Sequence, residues 1–144
     1  MAAIDAMTSR VVSVRPDEEV QVAISRMLEE NVGSVAVCED NRIVGIFTER
    51  DVLRLAGDGR DFHQIRVGDV MTRRLFMAEP DDDLMSIGQL MQEKRIRHVP
   101  VVQDGNLLGI LGIREVLRTL LERVWSSQDA EARETARTLL RRGV

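Results

Sequence analysis

The sequence predicts an α/β (α+β) chain built of two tandem βαββα units, with one more helix at the C-terminal end. Three observations predict it. The chain repeats itself at a fixed shift, its apolar pattern changes period twice within each copy, and turn residues stand between the apolar runs. A shift of 64 residues takes Met7-Thr8 to Met71-Thr72, Pro16-Asp17 to Pro80-Asp81, and Met27 to Met91. It also takes Val35 and Val37 to Val99 and Val101, Gly45-Ile46 to Gly109-Ile110, and Val52-Leu53-Arg54 to Val116-Leu117-Arg118. Between Asp5 and Arg54 the register needs no gap, and about a third of the paired positions are identical.

Each copy opens on a short apolar run, Val11–Val14 in the first and Leu75–Met77 in the second, expected as a strand. Pro16 and Pro80 then announce a helix, with Asp17-Glu18-Glu19 and Asp81-Asp82-Asp83 expected in its first turn, where the helix dipole favours negative charge. Apolar residues follow at helical spacing: Val20, Ile24, Met27 and Leu28, then Leu84, Ile87, Leu90 and Met91. Two β-branched runs around Asp40-Asn41, and two around Asp104-Gly105-Asn106, read as hairpins. A second helix closes each copy, over Glu49–Ala56 and from Ile113 to about Val124, with Gly57 as the C-cap of the first. The organisation expected is therefore repeat 1 over residues 5–57, a polar linker over 58–67, repeat 2 over 68–124 and a helical tail over 126–144. In the tail, Ser126–Asp129 is a plausible helix start, and Ala132, Ala136, Leu139 and Leu140 form an apolar edge beside an arginine stripe, Arg133, Arg137 and Arg141.

Composition narrows the function. Formal net charge is −4, aromatics are 3% and there is no Tyr, which speaks against a nucleic-acid groove or a base-stacking platform. The single cysteine, Cys38, cannot form an internal disulfide and reads as an inert core residue. With no leader pattern and no long apolar span, the expectation is a soluble cytoplasmic protein with no membrane partner. No nucleophile–base set, catalytic carboxylate pair or metal-ligand spacing stands out, so neither an enzyme nor a metal site is expected, and no cofactor. His63 reads as a solvated linker histidine.

With these residues in place, the chain resembles a CBS-domain pair, or Bateman module, over about Asp5 to Leu120. The resemblance rests on Met7-Thr8 with Gly45-Ile46-Phe47-Thr48-Glu49-Arg50-Asp51. In the second copy it rests on Asp69-Val70-Met71-Thr72, Arg97-His98-Val99-Pro100-Val101 and Gly109-Ile110-Leu111. It implies a regulatory module whose effector is an adenosine-containing ligand, such as AMP, ADP, ATP, S-adenosylmethionine or NAD, and which works as a homodimer reporting to a protein partner.

The strand-to-helix junction from Gly45 through Ile46 to Asp51 suits that ligand. Free N–H groups and the helix dipole attract phosphate, Thr48 offers a hydroxyl, Asp51 can accept from a ribose diol, and Arg50 adds charge. By the resemblance, Thr72, Arg73, Arg97, His98 and Arg114 complete the site from the other copy. The same Thr48–Asp51 spacing is also a capping box that merely starts a helix. The equivalent junction of repeat 2 carries Gly112 for Thr48 and Glu115 for Asp51, with Ser34 as the counterpart of His98, and is expected to be the weaker site. The alternative reading is a dimerisation module that binds no ligand.

Overall fold

The computed structural model describes residues 1–126 and 130–142. The expected helix start over 127–129 lies outside the described residues, as do the side chains of Ala136, Leu139 and Leu140 on the expected apolar edge of the tail.

Repeat 1 runs β1 (Ser13–Val14), α1 (Val20–Glu30), β2 (Ser34–Glu39), β3 (Arg42–Thr48) and α2 (Glu49–Gly57). Its three strands form one sheet in the order β1-β2-β3, with β1 parallel and β3 antiparallel to β2. After a short helix α3 (Val67–Val70), repeat 2 follows with α4 (Leu84–Lys94), β4 (His98–Gln103), β5 (Asn106–Gly112) and α5 (Ile113–Ser126), and α6 (Ala130–Arg142) ends the chain. Both hairpins turn through two left-handed residues, Asp40-Asn41 and Asp104-Gly105, the tight turn their sequences call for.

Three expectations need correction. The run Leu75–Met77 forms no strand, and repeat 2 keeps a two-stranded sheet with a single parallel bridge from Ala78 to Val101. The cause is one residue. In repeat 1 the Ala36 N–H donates to the Val12 carbonyl at 3.0 Å, whereas its counterpart is Pro100, which has no N–H to give. The acidic runs precede their helices rather than filling the first turn: Glu19 and Asp83 are the N-caps of α1 and α4. Gly57 is the last residue of α2, and the left-handed glycine is Gly59.

The two repeats interlock by exchanging the segments that precede them. Val67 and Met71 are buried in the core of repeat 1 with Val20, Val35, Val37 and Phe47. Ala3 and Ala6 are buried in the core of repeat 2 with Leu84, Met91, Val99 and Leu111. The backbone bonds are the same on both sides: Ala3 and Ile4 donate to the carbonyls of Asp82 and Pro80, as Val67 and Gly68 donate to those of Glu18 and Pro16. The polar linker thus ends at Gln64, because Ile65 and Val67 are core residues. Burial of Val67 and Met71, roughly 1.5–3 kcal/mol each, with a smaller contribution from Ala3 and Ala6, is what makes two small units one body.

Candidate functional site

The crossing segments lie against the glycines that precede each strand-to-helix junction. Ile46 and Thr72 exchange N–H···O bonds of 3.0 and 2.9 Å, and Thr8 and Ile110 do the same at 3.0 and 3.3 Å. No side chain fits at the neighbouring glycines. A Cβ on Gly109 would stand 2.6 Å from the Thr8 carbonyl, and one on Gly45 would meet the Met71 side chain and lie 3.0 Å from the Thr72 carbonyl. Each helix start is then pinned to the opposite strand entry of its own repeat: Glu49 N–H to the Gly33 carbonyl at 3.0 Å, Ile113 N–H to the Arg97 carbonyl at 2.8 Å. The two junctions are related by the internal symmetry down to single hydrogen bonds.

Their side chains are not. At the repeat 1 junction, Asp51 is 5% exposed and its carboxylate is engaged within the protein. One oxygen accepts from the Thr48 N–H at 2.9 Å and from the Thr48 hydroxyl at 3.3 Å; the other accepts from the Arg54 guanidinium at 3.0 Å. At the repeat 2 junction Gly112 removes the hydroxyl, and the Glu115 carboxylate folds back over the Gly112 Cα, in the space a side chain would need. Glu115 makes no side-chain hydrogen bond or ion pair among the described residues.

A cleft of about 160 Å³ opens there. Its walls come from Thr8 and Arg10 before β1, Asn31–Gly33 between α1 and β2, Ser34 at the start of β2, Glu49, the strand entry Arg97-His98, and Gly112–Glu115. The structure therefore brings together Arg97, His98, Arg114, Gly112, Glu115 and Ser34, which the sequence divided between two sites. It does not bring Thr48, Arg50, Asp51 or Arg73 to this cleft; Arg73 instead donates to its own segment, the Gly68 carbonyl, at 2.9 Å. Ile46 and Thr72 meet, but through backbone, at the equivalent crossing beside Gly45, and neither lines the cleft. Thr8, Arg10 and Glu49 were missed. Carrying Thr72 back by the repeat shift gives Thr8, so the signal was present in the repeat itself.

Electrostatically the cleft is basic and unevenly satisfied. Arg10 pairs with Glu30 at 2.7 Å, while Arg97 and Arg114 hold no ion pair among the described residues. Ser34 is 9% exposed and its hydroxyl has no side-chain hydrogen bond among the described residues, although buried polar groups ordinarily have a partner. Burial holds the His98 imidazole below the usual histidine pKa, reinforced by Arg97 and Arg114 and opposed by Glu115 and Glu49. Cys38 lies on β2, away from these groups, and burial pushes its thiol pKa up. Among the described residues no group of three or more His, Cys, Asp or Glu side chains could hold a metal ion, and no helix is long and apolar enough to cross a membrane.

Comparison with known proteins agrees with this architecture. The CBS domain family matches twice, over residues 2–58 and 67–122, and the chain belongs to that family, whose tandem pairs are regulatory modules. It is 37% identical over 113 residues to the CBS domain-containing protein YhcV of Bacillus subtilis, covering 78% of this chain and 80% of that one. It is 36% identical over 111 residues to the mitochondrial CBS domain-containing protein CBSX3 of Arabidopsis thaliana, covering 73% of this chain but 54% of that longer protein. In fold it is similar to the CBS domain pair of protein MJ0100, crystallised in complex with 5′-methylthioadenosine and S-adenosyl-L-methionine, with a TM-score of 0.78, 18% identity, and coverage of 85% of this chain and 98% of that one.

Proposed function

We propose that the chain is a ligand-sensing regulatory module that binds an adenosine-containing small molecule, an adenine nucleotide or an adenosyl relative, in the cleft between its repeats. Binding is reported through conformation or oligomeric state. The observation that carries this reading is the polar lining of the cleft: among the described residues Arg97 and Arg114 hold no ion pair and the buried Ser34 hydroxyl has no partner, and all three gather at the start of α5. Guanidinium groups at a helix start are a phosphate-binding arrangement, and a hydroxyl and a carboxylate beside them suit a ribose. Another pair of the same fold holds adenosyl ligands, which supports the class of ligand.

The test is calorimetric titration of the purified chain with AMP, ATP, S-adenosylmethionine and NAD. Saturable binding of at least one is expected, weakened about ten- to a hundred-fold by Arg97→Ala, the worth of roughly 1.5–3 kcal/mol for a charged hydrogen bond. Silence from all four ligands at millimolar concentration would leave the chain a ligand-free interaction module.

The oligomeric partner proposed is a second copy of this chain. Leu53 and Leu117 occupy equivalent positions on α2 and α5 and are 72% and 54% exposed, while Leu28 on α1 is 77% exposed. Large apolar side chains repeated on symmetric helices suit a symmetric contact. Light scattering should give twice the mass of the chain, and Leu53→Glu with Leu117→Glu should halve it.

A further inference from the structure

His98 is the one imidazole in the cleft lining, and its repeat 1 counterpart, Ser34, has no titratable side chain. We propose that His98 takes up a proton when the cleft binds a phosphate-bearing adenosyl ligand, so that this chain senses its effector more weakly as pH rises. The proposal rests on the ligand reading above and adds its regulation.

The geometry is that of a histidine held between opposed charges. His98 opens β4 opposite Gly112 of β5 and is partly buried in the cleft wall. Glu115 and Arg114 line the same cleft from the first turn of α5, Glu49 from the start of α2, and Arg97 from the strand entry of His98 itself, and all four act on the imidazole electrostatically. Arg10, from the segment before β1, lines the same cleft and is tied to Glu30. Burial, with Arg97 and Arg114, outweighs the two carboxylates and lowers the imidazole pKa. A phosphate seated on Arg97 and Arg114 cancels the two charges that repel a protonated imidazole and adds negative charge beside it. The carboxylates Glu49 and Glu115 and the phosphate itself are then opposed by burial alone, and the balance shifts toward the charged form.

The linkage has a definite sign. Ligand binding raises the imidazole pKa, so between the free and bound values the dissociation constant grows with pH, by at most tenfold per unit. Below the free value His98 is protonated in both states and the dependence vanishes; above the bound value it is neutral in both and the dependence vanishes again. An uncharged nucleoside in the same cleft would leave His98 alone.

The chain has two histidines, so proton NMR resolves the question directly. The imidazole signals are followed from pH 5 to 9 in the free protein, with saturating AMP, and with adenosine; His63→Gln assigns them. His63 is exposed in the linker, 3.6 Å from Glu19, and serves as the internal reference. The expected result is a His98 pKa raised by about one to two units with AMP, unmoved by adenosine, and a stationary His63. Calorimetry with AMP in buffers of different ionisation enthalpy should show proton uptake that is absent in His98→Gln. Because the ligand's own phosphate titrates near 6, the difference between the wild type and that variant is the quantity read. AMP bound with the His98 signal unmoved overturns the proposal and leaves the ligand reading intact. Absence of binding by AMP and by the other adenosyl ligands overturns both.

Discussion

The junction at Thr48–Asp51 and the junction at Gly112–Glu115 occupy the same place in the fold, yet one is sealed and the other open. In the first, a carboxylate of the right length turns back onto the N–H and hydroxyl of Thr48 and takes an arginine besides. In the second, one extra methylene and one missing side chain leave a carboxylate lying over a glycine in the wall of a cleft. The backbone is the same to the hydrogen bond. A helix start can thus satisfy its orphan groups with its own side chains or leave them for something else, and two substitutions decide which.

The largest effect expected lies beneath both junctions. Gly109→Ala places a methyl carbon 2.6 Å from the Thr8 carbonyl, which is backbone and cannot yield without prising the crossing segment off repeat 2. Gly45→Ala meets the flexible Met71 side chain first and the Thr72 carbonyl only at 3.0 Å. Overpacking costs about 1–3 kcal/mol, and the upper end belongs to Gly109. Urea unfolding of both variants should show Gly109→Ala clearly less stable than Gly45→Ala; equal losses would mean that the two crossings are not held with different tightness.

Next comes the exchange of the junctions themselves. Gly112→Thr with Glu115→Asp rebuilds the repeat 1 arrangement in repeat 2. The helix start should gain a cap worth about 1 kcal/mol, while AMP affinity falls at least tenfold as the carboxylate is drawn out of the cleft. The two readouts move in opposite directions, so thermal unfolding and calorimetry on one variant suffice. A double variant that binds as well as the wild type would sink the idea that the open junction is the working one. Asp51→Ala is the complement. It should cost about 1–2 kcal/mol of stability through the lost helix-start bonds and change AMP affinity by less than twofold.

How much of this was legible in the sequence follows from what the repeat shift can carry. Backbone contacts transfer from one copy to the other, so Thr8, Thr72 and the paired glycines could be read from a shift of 64 residues. The sheet edge of repeat 2 failed because a single Pro100 deletes a donor without disturbing the apolar pattern. The burial of Ile65 and Val67 was not legible, because a repeat boundary drawn by identity says nothing of which core a segment enters. The weight laid on Thr48 and Asp51 came from their chemistry. Thr and Asp three apart read equally as cap and as ligand site, and only coordinates show which partners the oxygens have taken.

The smallest effect separates the helices that precede the junctions. In α4 the Asp83 carboxylate accepts from the Ser86 hydroxyl at 2.9 Å and the Ser86 N–H at 3.0 Å, whereas Glu19 at the start of α1 makes no cap bond with its side chain. The Ser86 hydroxyl first, and then its N–H, hold the Asp83 pKa below its ordinary 3.8, although the carboxyl is fully exposed. A pKa lower in the folded state than in the unfolded one means that the carboxylate form contributes stability above the unfolded value. That contribution is lost as pH falls through the folded value. Asp83→Asn keeps a capping side chain but removes the charge and its titration. The wild type should therefore unfold at a slightly higher temperature than Asp83→Asn from pH 5 upward, with the gap shrinking toward zero below pH 3.8. All other carboxyl groups are common to the two proteins and cancel in the difference. A gap that stays constant from pH 5 down to pH 2.5 would show that the Ser86 bonds do not distinguish the ionised cap from the protonated one. The start of α4 would then differ from that of α1 in geometry alone.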